Sequence, residues 1–370
     1  MSRVRKVAAA AAASALLFAV AACGDNGDGD TSDGAGGDAQ ETQTIRIMTT
    51  QAAWTISYSP LIAADEMGFF AEEGIEVEWL NDSSASNVAT QVQQGNVEIG
   101  IVSPEPVLIG HETGDFDALY YASMFRKSIF GVAVPEDSDI QSAADLEGAR
   151  IGVTSLGASG VPIAEAVARD AGVDPSTLEF LAIGTGAQAM AALEGGEVDA
   201  LSLFDTQYQT FENNGVPLRE LDLGEIVNLT SGGLLALPEN IEADPDLYIG
   251  AARAVAKGVL FTAENPEATV RIFWEEHPES QSTELSEEEA LEQELSILNK
   301  RMTKYDLDSP DEQWGSFPEG SIQALIDFMA AAGTIEGTVT PEEVFTDQYI
   351  DQIDDFDREA VAQAARDYTD

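Results

Sequence analysis

The sequence predicts an α/β protein with two similar lobes and a helical C-terminal region. Three observations support this: strands and helices alternate from residue 45 to residue 203, the alternating unit occurs twice, and helical spacing alone continues after about residue 245. Such alternation is typical of mostly parallel sheets covered by helices on both faces. With 370 residues, the chain is long enough for two medium-sized cores.

The first repeat unit has the order β-α-β-α-β. The first helix is predicted to begin at Ser59 and Pro60, because serine is a suitable N-cap and proline suits a first helical position. Gly68 is predicted to end it. Ser86 is the predicted N-cap of the second helix, which stops at Gly95. Apolar residues alternate with acidic ones in the second strand, as expected for a half-buried strand. The predicted strands are residues 45–48, 75–79 and 97–102.

The second repeat unit follows the same order. Its predicted elements are a strand at 150–153, a helix at 160–171, a strand at 178–183, a helix at 187–194 and a strand at 198–203. The stretch Gly95-Asn96-Val97-Glu98 corresponds closely to Gly196-Glu197-Val198-Asp199. A second echo, between residues 131–136 and 234–239, predicts two extended segments, one crossing out of the first lobe and one crossing back.

These repeats predict the organisation of the chain. The first part of lobe 1 is residues 45–128, lobe 2 is residues 129–232, and residues 233–370 hold the return crossover and the second, helical part of lobe 1. The hinge is expected near residues 123–131 and 230–234, where bending would let the lobes close.

The N-terminus has the pattern of an export signal. A basic start is followed by a short Ala-rich apolar run and by Val20-Ala21-Ala22-Cys23. The run is too short to span a bilayer comfortably and ends in small residues, which predicts a signal peptide at residues 1–22. The ending resembles the lipobox of bacterial lipoproteins, which implies that Cys23 is the lipid attachment site. The alternative is an ordinary signal peptide that happens to end near a cysteine.

This resemblance implies attachment to the extracytoplasmic face of the cell membrane through the lipid alone. Residues 23–44 are rich in Gly, Asp, Asn, Thr and Gln and predict a flexible tether.

Composition excludes several functions. The chain has 67 Asp and Glu residues against 17 Lys and Arg, a formal net charge of −50. Such a field repels nucleic acid and anionic membrane surfaces. Cys23 is the only cysteine, and His111 and His277 lie far apart in sequence, so no zinc-ligand spacing occurs. No Gly-x-Ser-x-Gly elbow occurs either. We therefore predict no catalytic residue, no metal and no cofactor.

The predicted ligand site lies in the loops that follow the strands. In open α/β sheets, ligands bind beyond the carboxyl ends of the strands. These loops are rich in hydroxyl groups and glycines and carry a few aromatic residues, which fits a polar small molecule. The candidate ligand-binding residues are Gln51, Trp54, Tyr58, Ser83, Ser103, Glu105, Ser155, Ser159, Thr185 and Asp205.

Several candidates also have a purely structural interpretation. Trp54 and Tyr58 could stack on a planar ligand or pack the edge of the lobe. Ser159 and its neighbour Ser155 precede a helix whose free N–H groups could hold an anion or a carbonyl, or they could simply cap it. Glu105 and Asp205 follow matching strands of the two lobes and could be ligand acceptors or solvated loop acids.

Three stretches resemble one protein family. They are residues 58–75 (YSPLIAADEMGFFAEEGI), 94–102 (QGNVEIGIV) and 145–153 (DLEGARIGV). They are similar to ABC importer substrate-binding proteins of the nitrate/sulfonate/taurine and thiamine-pyrimidine-precursor type, and the resemblance covers roughly residues 45–265. It implies the type II periplasmic-binding-protein fold, closure of two lobes around a small ligand, and a membrane permease and cytoplasmic ATPase as partners.

One branch of this family makes thiamine pyrimidine from its own histidine in a metal-assisted reaction and carries a cysteine-rich motif. The present chain has no second cysteine and no histidine in the expected loops. We therefore expect a binding protein rather than an enzyme, and a monomer.

The expected ligand is a small, planar, nitrogen-bearing compound such as a thiamine pyrimidine precursor. Trp54 and Tyr58 could sandwich a ring, and closure would bring Glu105 and Asp205 towards one amine. A small anion (nitrate, taurine or an alkanesulfonate) is the alternative, held by Arg126, Lys127 and the helix start at Ser159. An alternative of another class is a surface sensor or hydrolytic lipoprotein of the same fold.

Overall fold

The computed structural model describes residues 42–224, 229–306 and 313–369. The predicted signal peptide, Cys23 and the predicted tether up to residue 41 lie outside the described residues. The last two residues of the predicted tether belong to the first strand, because Gln43 already pairs with Ile75.

Strands and helices alternate through the first two thirds of the chain, and helices follow. The strands are β1 (Gln43–Thr49), β2 (Ile75–Asn81), β3 (Ile99–Val102), β4 (Leu119–Ser123), β5 (Ala133–Pro135), β6 (Arg150–Val153), β7 (Glu179–Ala182), β8 (Ala200–Leu201), β9 (Leu218–Glu220) and β10 (Gly233–Ala236). The helices of the α/β part are α1 (Ser59–Glu66), α2 (Phe69–Glu72), α3 (Ala85–Gln93), α4 (Glu105–Thr113), α5 (Gly160–Asp170), α6 (Gly186–Glu194) and α7 (Asp205–Asn213). Those of the C-terminal region are α8 (Pro238–Ala243), α9 (Pro245–Glu264), α10 (Pro266–Glu276), α11 (Glu287–Met302), α12 (Ser321–Ala331), α13 (Pro341–Val344), α14 (Ile350–Ile353) and α15 (Arg358–Asp367).

The strands form two five-stranded sheets of the same topology. The first sheet has the order β2-β1-β3-β10-β4 and the second has the order β7-β6-β8-β5-β9. In each sheet the first three strands are parallel. The fourth strand, β10 or β5, is antiparallel to both of its neighbours. The prediction of an α/β protein with two lobes is therefore confirmed.

The two echoed extended segments form β5 and β10. Each segment crosses from one lobe and enters the other sheet as its antiparallel strand, so the sheets are mixed rather than mostly parallel. Beside β10, Gly232 has φ +100, and a Cβ there would lie 2.2 Å from the Val102 carbonyl oxygen. Only glycine fits this close approach without strain.

Helix starts differ slightly from the predicted ones. Ser84, rather than Ser86, caps α3, because the Ser84 hydroxyl accepts from the Asn87 N–H at 3.2 Å. Ser59 is the first residue of α1, and Tyr58 holds the N-cap position without a side-chain cap. Such shifts of one or two residues are common at helix ends.

The C-terminal region divides between the lobes. Helices α9 and α10 pack on α1 of the first lobe, and α15 packs on α9. Helix α12 instead packs on α5, and its buried Ile322, Leu325, Ile326 and Met329 join the core of the second lobe. These four residues form a helical apolar stripe that needs a sheet or helix to cover it. The predicted assignment of residues 233–370 to lobe 1 therefore does not hold for α12. No helix among the described residues is long and apolar enough to cross a membrane.

Candidate functional site

A cavity of about 290 Å³ lies between the two lobes. Thr50, Ser83 and Ser103 reach it from the loops that follow β1, β2 and β3. From the second lobe, Thr154 and Thr185 reach it from the loops that follow β6 and β7. The cavity therefore occupies the place where the sequence predicts the ligand site, beyond the carboxyl ends of the parallel strands.

Six of the ten candidate residues line the cavity, and four lie beside or behind it. The lining ones are Gln51, Tyr58, Ser83, Ser103, Ser159 and Thr185. The others are Trp54, Glu105, Ser155 and Asp205. That the lining residues contact a ligand remains a prediction.

Trp54 packs the edge of the first lobe. Its ring stacks on His277 with centroids 5.5 Å apart, and it meets Trp79 edge-on at 5.6 Å. Of the two interpretations open for Trp54, the structure favours packing. Tyr58 is buried, and its hydroxyl lies 3.2 Å from the Thr50 hydroxyl, which also lines the cavity.

Serine side chains join the lobes around the cavity. The hydroxyls of Ser103 and Ser159, which come from different lobes, form a short, buried hydrogen bond. Ser159 makes no side-chain cap to α5, so its hydroxyl serves the contact between the lobes. The buried hydroxyls of Ser57 and Thr206, also from different lobes, lie 2.8 Å apart.

A second group of contacts between the lobes lies beside the cavity, next to its lining residues Ser83 and Ala158, and we call it the lip. The carbonyl oxygen of Gly157 accepts hydrogen bonds from the Ser86 N–H (3.2 Å), the Ser86 hydroxyl (3.2 Å) and the Ser84 hydroxyl (3.4 Å). The Ser155 hydroxyl donates to the Ser83 carbonyl oxygen at 3.1 Å. Ser155 is thus a lip residue, and hydrogen bonds join the two lobes at this point.

Glu105 is a buried acid behind the serine pair. It begins α4 and is 2% exposed. Burial raises its pKa, while its own backbone N–H and the hydroxyls of Ser159 and Ser103 act in the opposite direction. Its Oε2 has no hydrogen-bond partner among the described residues.

Asp205 is held in an ion pair. Its carboxylate accepts from Arg301 Nη2 at 2.6 Å and from Arg301 Nε at 3.2 Å, and the two side chains are 3% and 1% exposed. Burial lowers the pKa of Arg301, but the neighbouring carboxylate outweighs this and raises it overall. The expectation that Glu105 and Asp205 would offer two unpaired carboxylates to one amine is therefore wrong for Asp205, because Arg301 already occupies it.

The predicted cationic pair also has other partners. Arg126 Nη1 donates to the carbonyl oxygen and the hydroxyl of Ser316 at 3.0 and 2.8 Å. Lys127 pairs with Asp306 at 2.7 Å. Neither side chain lines the cavity.

Sequence reasoning missed several lining residues, above all Arg301 on α11. Its guanidinium carbon lies 4.9 Å from the ring centroid of Phe125 and 5.8 Å from that of Phe204. Basic residues are common in the last turn of a helix, so nothing in the sequence distinguishes Arg301 from its surface neighbour Lys300. The other missed residues with aromatic or amide side chains are Phe125, Phe130, Phe204, Gln188 and Gln207.

Comparison with known proteins gives a consistent picture. A family model described as "NMT1/THI5 like" matches residues 55–269. The formylaminopyrimidine-binding protein of Halalkalibacterium halodurans is 23% identical over 314 residues, covering 84% of this chain and 91% of that protein. The 4-amino-5-hydroxymethyl-2-methylpyrimidine phosphate synthase of Legionella pneumophila is 25% identical over 236 residues, covering 60% and 70%.

Solved structures show the fold. The alkanesulfonate-binding protein SsuA of Xanthomonas axonopodis pv. citri, bound to MOPS, superposes with a TM-score of 0.61 at 18% identity. The match covers 85% of this chain and 99% of that one. Together with the two sheets of equal topology, this likeness confirms the type II periplasmic-binding-protein fold.

Proposed function

Because the chain belongs to the NMT1/THI5-like family, we propose that it is an extracytoplasmic solute-binding lipoprotein that delivers a small ligand to an ABC importer. The observation that carries this proposal is the cavity of about 290 Å³, which both lobes line and which hydroxyl contacts between the lobes close. A cleft that closes in this way can bury most of a small ligand and still release it. The importer supplies a permease and a cytoplasmic ATPase as partners, and the binding protein acts as a monomer.

The ligand we propose is a small planar nitrogen heterocycle of the thiamine-pyrimidine kind. Phe125, Phe130 and Phe204 supply apolar ring surfaces, and Gln188 and Gln207 supply amides that can both donate and accept hydrogen bonds. This combination suits a flat ring with polar edges. The name of the H. halodurans relative points to the same ligand class.

We propose binding rather than catalysis, although a relative is named as a synthase. The two histidines of the chain are engaged away from the cavity. His111 Nε2 lies 2.9 Å from the Ala118 carbonyl oxygen, and His277 stacks on Trp54. Among the described residues, no group of three His, Cys, Asp or Glu side chains is placed to hold a metal ion.

A small anion remains the second candidate ligand. The observation in its favour is Arg301, a cation that lines the cavity. Asp205 neutralises this cation, which is why we place the heterocycle first.

Titration calorimetry of the purified chain tests the ligand class. We expect an aminopyrimidine to bind with a micromolar dissociation constant or better, which corresponds to about −8 kcal/mol. Native mass spectrometry should show that the bound ligand is recovered unchanged. A chemically converted product would instead favour the hypothesis that the protein is an enzyme. Binding of taurine, nitrate or an alkanesulfonate without binding of any aminopyrimidine would establish the anion instead.

The membrane attachment is tested separately. Cys23→Ala should abolish fatty-acid incorporation and release the protein from the membrane, because acyl chains supply the membrane affinity. Cys23→Ala protein that still carries fatty acid would refute the lipobox assignment.

A further inference from the structure

Gln207 places a buried amide in the part of the cavity wall that belongs to the second lobe. It lies in the first turn of α7 and is 6% exposed. It lines the cavity together with Gly184 and Thr185, which come from the loop between β7 and α6. Burial removes the amide from bulk water, so protein or ligand atoms must replace the hydrogen bonds that water would make. The contacts at the two ends of this amide therefore show what a ligand can supply.

The oxygen end of the Gln207 amide is held by the protein. Its Oε1 accepts a hydrogen bond from the Gly186 backbone N–H at 2.8 Å. Gly186 is the first residue of α6, and the N-cap residue Thr185 makes no side-chain hydrogen bond to this helix end. Gln207 thus supplies an acceptor that the free N–H groups at a helix start need. Because a backbone N–H can only donate, this contact also fixes the orientation of the amide, with its oxygen towards α6.

The nitrogen end of the same amide has unused donors. The described residues give Nε2 no hydrogen-bond partner. Nε2 is also not one of the enclosed polar atoms, such as Arg301 Nη1, that have no accessible surface and no partner. Since Gln207 is otherwise buried and lines the cavity, the N–H groups of Nε2 are available to a ligand there.

Two other buried, nitrogen-bearing side chains of the cavity wall are already engaged. Gln51 Nε2 donates to the Thr49 hydroxyl at 3.0 Å. The Arg301 guanidinium pairs with Asp205 at 2.6 Å. Gln207 differs from both because the donors that it offers to the cavity are free.

We propose that Gln207 is a specificity determinant of the cavity: Nε2 donates to an unprotonated ring nitrogen of the ligand and so fixes which edge of the ring faces α7. This inference rests on the proposed function, since it concerns a ring ligand in the same cavity. An amino group of the ligand carries donors, so at this position it would meet N–H groups and leave both sets of donors unsatisfied. An amino-substituted ring therefore binds with a ring nitrogen towards α7 and its amino group directed elsewhere.

Two probes of nearly equal shape test this contact. 4-Aminopyrimidine and aniline carry the same amino group on a six-membered aromatic ring, and both are neutral at about pH 8. Aniline has C–H groups in place of the ring nitrogens and so offers Nε2 no acceptor. Titration calorimetry of the full chain should show at least about a tenfold preference for the aminopyrimidine, equivalent to about 1.4 kcal/mol.

Two variants assign this preference to Gln207. Gln207→Met removes both ends of the amide, whereas Gln207→Glu keeps an acceptor for the Gly186 N–H and replaces the donor with a carboxylate oxygen. In both variants the ratio of the two affinities should fall by about tenfold, because only the aminopyrimidine uses the donor. If Gln207 served only to hold Gly186, Gln207→Met would weaken both probes equally and the ratio would stay the same.

Gln209→Met is the matched control. Gln209 lies on the same helix outside the cavity lining, and its Nε2 donates to Asn213 Oδ1 at 3.1 Å. The substitution removes the same kind of amide and should leave both affinities unchanged.

The outcomes separate this inference from the proposed function. An unchanged ratio in Gln207→Met or Gln207→Glu, with the aminopyrimidine still bound by the wild type, would overturn the role of Gln207 and leave the ligand class standing. Equal binding of both probes by the wild type would do the same. A wild-type protein that binds no aminopyrimidine would overturn both the proposed ligand class and this inference.

Discussion

In both lobes, an arginine near the start of the central parallel strand binds a carboxylate, an interaction that we call the arginine clasp. In the first lobe, a Glu98 carboxylate accepts from the Arg46 backbone N–H (2.8 Å) and from its guanidinium (2.6 and 3.0 Å). In the second lobe, Asp199 accepts from the Arg150 backbone N–H (2.9 Å) and its guanidinium (2.6 and 2.9 Å). The arginine lies on the central parallel strand, and the acid lies just before the strand beside it.

At the cleft the lobes no longer correspond. Arg301 reaches the cavity from α11, a helix of the C-terminal region that packs on α10 of the first lobe and α7 of the second. The α/β repeat of either lobe has no equivalent of this helix. The repeated residues build the sheets, whereas the charged group of the cavity comes from a segment that occurs once.

The buried pair should therefore affect stability far more than either clasp. Asp205→Ala leaves the Arg301 charge buried without its carboxylate, which typically costs about 3–5 kcal/mol. Urea unfolding followed by circular dichroism measures this loss. A loss of stability no larger than that caused by replacing Glu98 or Asp199 would show that burial does not make the Asp205–Arg301 pair more important for stability than the clasps.

The helix that carries Arg301 should also make stability depend on pH. Burial raises the pKa of Glu294 on α11 from 4.5 to about 7. Because the folded pKa lies above the unfolded value, the contribution of Glu294 is fully present below about pH 4.5 and is lost as the pH rises through about 7. Glu294→Gln should therefore stabilise the protein at pH 8 and change little at pH 4.

The size of the Glu294 effect follows from the pKa difference. The shift from 4.5 to about 7 is about 2.5 units, and one unit corresponds to about 1.4 kcal/mol. Since Glu294 keeps some solvent contact, we expect about 1–3 kcal/mol at pH 8. Urea titrations at both pH values test this, with the exposed Glu292→Gln as the control. An equal gain at pH 4 and pH 8 would contradict a titration effect.

The two clasps should be equivalent in energy. Both are partly exposed, with side-chain exposures of 39% and 27% for Arg46 and Glu98 and 38% and 37% for Arg150 and Asp199. Water therefore screens them, and Glu98→Gln and Asp199→Asn should each cost about 0.5–1 kcal/mol. Thermal unfolding would reveal a difference. A several-fold larger loss of stability in one lobe would show that the two clasps share their geometry but not their contribution to the free energy of unfolding.

The smallest effect should come from the lip. Ser86→Ala removes one hydroxyl donor to Gly157, a solvent-exposed contact that water can replace. We expect ligand affinity to fall by no more than about threefold, since a net hydrogen bond contributes about 0.5–1.5 kcal/mol and exposure reduces this. Titration with the ligand that binds the wild type measures it, and the control is Ser280→Ala, which removes a hydroxyl donor to the His277 carbonyl oxygen outside the cavity lining. Complete loss of binding would mean that the lip holds the cleft shut.

The predictability of the fold depends on repetition. Glu98 and Asp199 stand in an echo that is visible in the sequence, and the strands beside them are placed within a few residues. The edge strands β4 (Leu119–Ser123) and β9 (Leu218–Glu220) are not predicted. Each has its place only through its antiparallel pairing with β10 or β5, which comes from a distant part of the chain.

The site is predictable where it follows strand ends and unpredictable where it depends on tertiary packing. Gln51, Ser103 and Thr185 come after parallel strands, and the rule for open sheets finds them. Asp205 also follows a strand, but its pairing with Arg301 links residues 96 positions apart. No local sequence pattern carries such information. The sequence therefore does not predict that Asp205 is paired, nor that Arg301 lines the cavity.

The lip has a consequence for the timing of ligand exchange. Three donors from the first lobe converge on one carbonyl oxygen, that of Gly157. A small displacement of this single peptide therefore breaks all three contacts at once, whereas the contact of the Ser155 hydroxyl with the Ser83 carbonyl oxygen breaks separately. Water can form hydrogen bonds with the freed groups, which keeps the free-energy difference between the states with and without these contacts small. Opening should then take place on the microsecond-to-millisecond timescale of hinge motions. The residence time of a ligand is then set by the strength of its contacts with the residues that line the cavity.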